Sequence, residues 1–242
     1  HAEPLNQQAA EDFWKGRYSR AIKGYRQALR SAPRSADLWF NLGTANAFAG
    51  QRGPAAYALE QALLLDPEHQ DAEYNLEQIR QQVVDEALSK GSDGQLILPG
   101  DDDLGTGFLT AVKPRTLALL FAVSWCALFL FLWLSRRRKG HSGSAAYIFM
   151  AVLMGLLAMP SAGLILGRIS TVEDQNFGVV VNERAEARRG PGKRYPLVAK
   201  VTAGVKVTLT SQDGDWRQVT LPTGADVWLP DKSVRALQTD FE

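Results

Sequence analysis

The chain has 242 residues, a formal net charge of +1 and 45% hydrophobic residues. Cations and carboxylates balance in both polar parts, which excludes the basic surplus by which a protein holds nucleic acid. The single cysteine, Cys126, excludes an intrachain disulfide, and the histidines His1, His69 and His141 stand in separate regions with no zinc spacing, phosphate loop or nucleophile elbow.

Residues 1–90 repeat themselves. A 34-residue shift lays Gly16 on Gly50, Ala21 on Ala55, Ala28 on Ala62, Leu29 on Leu63 and Pro33 on Pro67. The glycines suit the end of the first helix in each pair, the alanines a close helix crossing, and the prolines the end of the second helix. Trp39, Leu42, Tyr25 and Leu59 are expected between the helices. A third stretch, DAEYNLEQIRQQVVDEAL, aligns through Asn41 with Asn75 and Leu42 with Leu76, then turns charged and Gln-rich, as a terminal helix facing water would. The period and pattern resemble the tetratricopeptide repeat, which implies an all-α solenoid of two repeats plus a capping helix. Asp12 departs from that pattern, standing where a large residue is usual. Such repeats resemble protein-docking modules whose concave face comes from the first helix of each pair. Here that face offers Phe40, Asn41, Thr44, Phe48, Tyr74 and Asn75 as partner-binding residues, with a second reading in which Asn41 and Asn75 only tie neighbouring helices together.

Residues 91–115 read as a solvated linker and juxtamembrane segment rich in Gly, Asp and Pro, with Phe108 and Leu109 as weak surface anchors. Two uncharged apolar runs follow, 116–134 and 145–167, each close to the roughly 20 residues that a helix needs to cross a bilayer. The 135–144 connection is too short to hold a domain, so the pair reads as a transmembrane hairpin. Arg136, Arg137, Arg138 and Lys139 favour the cytoplasmic side for this basic loop. In the second span Ala151 with Gly155, and Gly163 with Gly167, place small residues one turn apart for helix packing, and Pro160 is expected to kink it. No ionisable residue lies in either span, against an ion or proton pathway. The chain opens at His1 without a methionine, and Ala2 suits a processed signal peptide.

Residues 173–242 read as short strands separated by the turn clusters Gly190-Pro191-Gly192 and Asp213-Gly214-Asp215. About 60 residues of this kind fit a small all-β barrel of five strands. Ala187-Arg188-x-Gly190-Pro191, Ala203-Gly204-x-x-Val207, Gly214-Asp215-Trp216-x-x-Val219 and Val227-Trp228-Leu229 resemble a bacterial SH3-like domain, with Val227 where a glycine is usual. Arg184, Arg188, Arg189, Lys193 and Arg194 form a basic cluster that either meets acidic groups or is a solvated edge balanced by Glu183 and Glu186.

The order of repeats, hairpin and SH3-like domain resembles the E component of the Bat (Bacteroides aerotolerance) operon. The hairpin and its basic loop place residues 1–115 and 168–242 on the periplasmic side of the inner membrane, the inverted orientation being the alternative. The resemblance implies a bacterial envelope protein. It further implies membrane-anchored von Willebrand A-domain partners and a MoxR-type AAA+ ATPase across the bilayer. No catalytic residue, metal or cofactor is expected. Two functions stay open: a non-catalytic scaffold in that stress-tolerance system, or an envelope anchor or sensor whose SH3-like barrel binds peptidoglycan.

Overall fold

The computed structural model describes residues 2–90, 96–99, 114–137, 146–156, 158–159 and 176–238. These fall into two compact units, one formed by His1–Asp102 with Asn176–Glu242, the other by Asp103–Gln175.

The first unit begins with five helices, α1 (Ala2–Trp14), α2 (Tyr18–Ser31), α3 (Ala36–Phe48), α4 (Arg52–Leu65) and α5 (Gln70–Lys90). α1 pairs with α2 and α3 with α4 through turns built alike. Gly16 and Gly50 adopt φ of 71° and 73°, a left-handed conformation that glycine enters without a Cβ penalty. The N–H groups of Arg17 and Gln51 then reach back to the Asp12 and Asn46 carbonyls at 2.8 and 2.9 Å, closing both helix ends in the same way. Ala21, Ala28, Ala55 and Ala62 are wholly buried, as close helix crossings require, while Tyr25, Trp39, Leu42 and Leu59 fill the space between helices. The irregular Asp12 has its own partner, lying 3.2 Å from Arg17 Nε. Along α5, Ala72, Leu76, Ile79 and Val83 are buried at helical spacing, so one stripe faces the bundle.

Eight strands make one sheet: β1 (Leu96–Ile97), β2 (Phe177–Val180), β3 (Arg184–Arg188), β4 (Leu197–Thr202), β5 (Lys206–Asp213), β6 (Trp216–Thr220), β7 (Asp226–Pro230) and β8 (Val234–Ala236). Their order is β1-β4-β3-β7-β6-β5-β2-β8, antiparallel except for β1 on β4. Val180, Ala187, Val201, Val207, Val219, Val227 and Leu229 form the sheet's core.

Two expectations need correction here. The 91–115 stretch is not solvated throughout: Leu96 and Ile97 pair with Lys200 and Val201, Ile97 is buried in the sheet core, and Thr202 Oγ1 donates to its carbonyl at 3.1 Å. A two-residue strand between glycines and prolines leaves no periodicity to read. Nor does the sheet stop at five strands, because seven lie within 177–236 and β1 adds an eighth.

The helices and the sheet share apolar packing. Strand β2 is buried on both faces: Val180 belongs to the sheet core, whereas Val179 joins the helical core with Phe177 and Val181 packed beside it. That two-sided burial explains an uninterrupted valine run where a half-solvated strand would alternate. Polar contacts add to it. Glu60 of α4, almost fully buried, takes Arg80 Nη2 on one oxygen at 2.6 Å and Lys206 Nζ of β5 on the other at 3.2 Å.

In the second unit, helix Pro114–Arg137 contains one segment, Ala118–Arg137, long and apolar enough to cross a membrane, with mean hydropathy 2.2. Uncovered side chains such as Phe129 and Trp133 line it, and the Arg137 guanidinium sits 4.3 Å from the Trp133 ring. Within the second apolar run, the described residues include a helix over Ala146–Leu156. Gly155 lies beside Leu128 of the first helix, Phe131 and Tyr147 bring their ring centres to 6.5 Å, and Ala151 is buried. Arg136 and Arg137 close the first helix; Arg138, Lys139, Pro160, Gly163, Gly167, Phe108 and Leu109 lie outside the described residues.

Candidate functional site

Two surfaces of the first unit carry side chains suited to binding. On the helices, Asn41 Nδ2 donates to Asn6 Oδ1 at 3.5 Å and Asn75 Nδ2 donates to Thr44 Oγ1 at 3.1 Å, linking α3 to α1 and α5 to α3. These polar groups serve the packing of neighbouring helices. The rings of Phe40 and His69 lie tilted at 37° with centres 4.8 Å apart. The His69 imidazole accepts from the Ala72 N–H through Nδ1, so it caps the start of α5. Phe48 and Tyr74 stay open to solvent, at 61% and 65% exposure. Around Phe48 the structure gathers Phe13 and Tyr18, with ring centres 5.2 and 5.6 Å away, and Trp14 stands edge-on to Phe13. Sequence reasoning missed that aromatic cluster, although Trp14 falls on Phe48 at the same 34-residue shift.

On the sheet, alternation turns Ala185 and Ala187 inward and Glu186 and Arg188 outward along β3. The same rule sends Trp228 outward between buried Val227 and Leu229 on β7, and Gln218 outward beside buried Val219 on β6. Register completes the face: Arg188 is opposite Trp228, Trp228 opposite Gln218, and Trp216 opposite Pro230. Two half-buried tryptophans and an arginine therefore share one outer patch. Arg188 also shapes the turn beside it. Its Nη1 donates to the Lys193 and Tyr195 carbonyls at 2.9 and 2.7 Å, its Nη2 meets Glu186 at 2.6 Å, and its Nε is buried without a partner. Tyr195 lies flat on Gly190, where a Cβ would come within 2.7 Å of the ring. Of the basic cluster, Arg188 is thus engaged with its own loop, while Arg184, Arg189, Lys193 and Arg194 remain exposed.

Among the described residues the fold alters the ionisation of Tyr25 and Tyr57. Burial pushes both phenols above the ordinary value; at Tyr57 the neighbouring Arg235 partly opposes it. Among the described residues no group of three or more acidic, His or Cys side chains is placed to hold a metal.

Residues 181–235 match the family model for bacterial SH3 domains. The 181–235 part of the sheet is a bacterial SH3 domain. Over 60 residues the chain is 32% identical to YrvJ of Bacillus subtilis (strain 168), a protein named as an N-acetylmuramoyl-L-alanine amidase. That stretch covers 25% of this chain and spans only 12% of the relative's length. Among solved structures, a chain of a CopN-Scc3 complex is similar at 18% identity and a TM-score of 0.27, over 38% of this chain and 69% of that one. Trp216, Trp228 and the Gly190 turn fall inside the matched stretch, and their motif was legible in sequence. Their shared outer patch depends on strand register and was not.

Proposed function

We propose that this chain is a non-catalytic envelope protein that is anchored in the membrane and binds cell-wall peptide through its SH3 domain. One observation carries the reading: the SH3 domain sets Trp216, Trp228 and Arg188 on a single outer face, and the stretch of identity joins it to a relative named as an N-acetylmuramoyl-L-alanine amidase. Flat aromatic faces suit sugar rings and peptide planes, and Arg188, held by Glu186 and its own loop, braces their edge. The helical pairs are read as tetratricopeptide repeats over 1–90. The apolar segments are read as two spans, 116–134 and 145–167, joined by the basic 135–144 loop on the cytoplasmic side, with 173–242 as the SH3 domain.

What supports two crossings is the packing of residues on both sides of the apolar region into one unit. Ile97 pairs before it, Val179 and Lys206 pair after it, and a single crossing would part them. The loop cations favour an orientation with that unit outside the cytoplasm.

The test is sedimentation of the full chain, in detergent micelles, with purified sacculi. The chain is expected to pellet, and Trp228→Ala to weaken binding by about tenfold or more. A chain left in the supernatant at every sacculus concentration removes this reading.

A second reading keeps the scaffold role in a Bat-type system, with von Willebrand A-domain partners and a MoxR-type ATPase. The exposed Phe48 cluster favours it. Purification from native membranes in mild detergent, followed by mass spectrometry, distinguishes the two. Partners that leave on Phe48→Ala support the scaffold, and a protein recovered alone counts against it.

A further inference from the structure

A cavity of about 240 Å³ opens where α2, α3 and α4 meet β8. Its apolar side is Leu42 with the rings of Trp39 and Tyr57, whose centres stand 5.9 Å apart at 83°. Arg26 and Arg235 line it as well, and both guanidinium side chains are exposed. Arg235 lies 5.6 Å from the Tyr57 ring, and no carboxylate is among the lining residues. Asn46 completes the wall. It is 1% exposed, its Nδ2 donates to the Leu42 carbonyl at 2.6 Å, and its Oδ1 is buried with no hydrogen-bond partner. That bond fixes which way the amide points, so the idle atom is an acceptor.

A ligand for this set needs three properties. It must bring negative charge to two guanidinium groups, an N–H to an idle carbonyl oxygen, and a small apolar body to the corner formed by two rings. Phosphate has the charge without the body. An acyl chain has the body without the donor. The last residue of a peptide carries an amide N–H, a side chain and a carboxylate on adjacent atoms, within the size of the cavity.

We propose that this cavity binds the carboxyl-terminal residue of a peptide. The site is separate from the outer face of the SH3 domain and does not depend on it. The carboxylate pairs with Arg26 and Arg235, the last amide N–H donates to Asn46 Oδ1, and a small side chain rests on Trp39 and Tyr57. Two sources share that chemistry, the end of a partner protein and the D-amino-acid end of a cell-wall stem peptide, and stereochemistry separates them.

Isothermal titration calorimetry on the full chain in detergent tests the proposal with N-acetyl-L-alanyl-L-alanine, its D,D counterpart, the carboxyl-terminal amide of each, and inorganic phosphate. At least one acid is expected to bind saturably, and its amide about tenfold or more weakly, because the loss of a charge-assisted pair is of that size. Arg26→Gln alone, and Arg26→Gln with Arg235→Gln, should weaken the acid stepwise without lowering Tm, since both side chains are exposed. Preference for L,L assigns a protein terminus and preference for D,D assigns the stem peptide; either supports the site. Saturation by neither acid, equal binding of acid and amide, or binding of phosphate alone would overturn it.

Discussion

Gln61 and Gln238, 177 residues apart, hydrogen-bond each other twice: Gln61 Nε2 donates to the Gln238 carbonyl at 2.7 Å, and the Gln238 N–H donates to Gln61 Oε1 at 2.9 Å. Gln61 sits on α4 and is wholly buried, so a helical side chain replaces the missing strand neighbour just beyond β8. An amide is the right group, since it donates and accepts from one plane as a peptide does. Together with Val179 it fixes how the SH3 domain meets the helices.

Gln61→Leu keeps the volume and removes both bonds. The Gln238 N–H and carbonyl are left to compete for solvent in a partly buried place, at a cost of roughly 2 kcal/mol. Denaturant unfolding measures the loss, and amide exchange at Gln238 should quicken more than exchange in α2. An unchanged midpoint would show that the pair is incidental.

Gly53→Ala strikes the same seam by sterics. A Cβ at Gly53 would overlap the Val181 carbonyl oxygen, and backbone cannot rotate aside as a side chain can. The expected cost is about 1–3 kcal/mol, with faster exchange through β2. Gly50→Ala is the control, because its Cβ would meet nothing within 4 Å and its cost comes from φ alone, about 1 kcal/mol. If both variants speed exchange in the same residues, Gly53 has no special place at the seam.

Much of the helical architecture was legible because each repeated residue answers a local need. Gly16 and Gly50 recur where a left-handed turn closes a helix, and Ala21 and Ala55 where two helices touch. Trp216 and Trp228 were legible as motif residues for similar reasons. Contacts between distant segments leave no such trace: nothing near Ile97 announces β4, and nothing near Gln61 announces Gln238. The Val179–Val180 pair did carry a signal, since consecutive valines mean burial on two faces, yet the second face needed its partner to be seen. The Phe48 cluster was half legible, through Trp14 at the repeat spacing, while Phe13 and Tyr18 enter it through the fold.

Removing the partners of Glu60 should be strongly non-additive. Lys206→Met leaves the carboxylate paired with Arg80 and should cost about 1 kcal/mol, because Lys206 is itself partly solvated. Arg80→Met with Lys206→Met strands a buried carboxylate, for which roughly 3–5 kcal/mol is expected. A double-mutant cycle by urea unfolding reads the difference. Simple additivity would mean that Glu60 is reached by water in place of either cation.

Alkaline stability follows from Tyr25 and Tyr57. Burial raises both phenols above 10.0 in the folded chain, so the unfolded chain gives up these protons first. Their contribution is complete below about pH 10. It is lost as pH rises from there through the folded values, at up to about 1.4 kcal/mol per pH unit for each tyrosine. Tyr57→Phe should flatten this limb in unfolding measured between pH 8 and 11. Arg235→Gln acts oppositely: the cation favours the phenolate, so its removal raises Tyr57 further and extends the falling limb to higher pH. A Tyr57→Phe protein that loses stability above pH 10 as steeply as the parent would show that neither the burial of this phenol nor its arginine governs the alkaline limb.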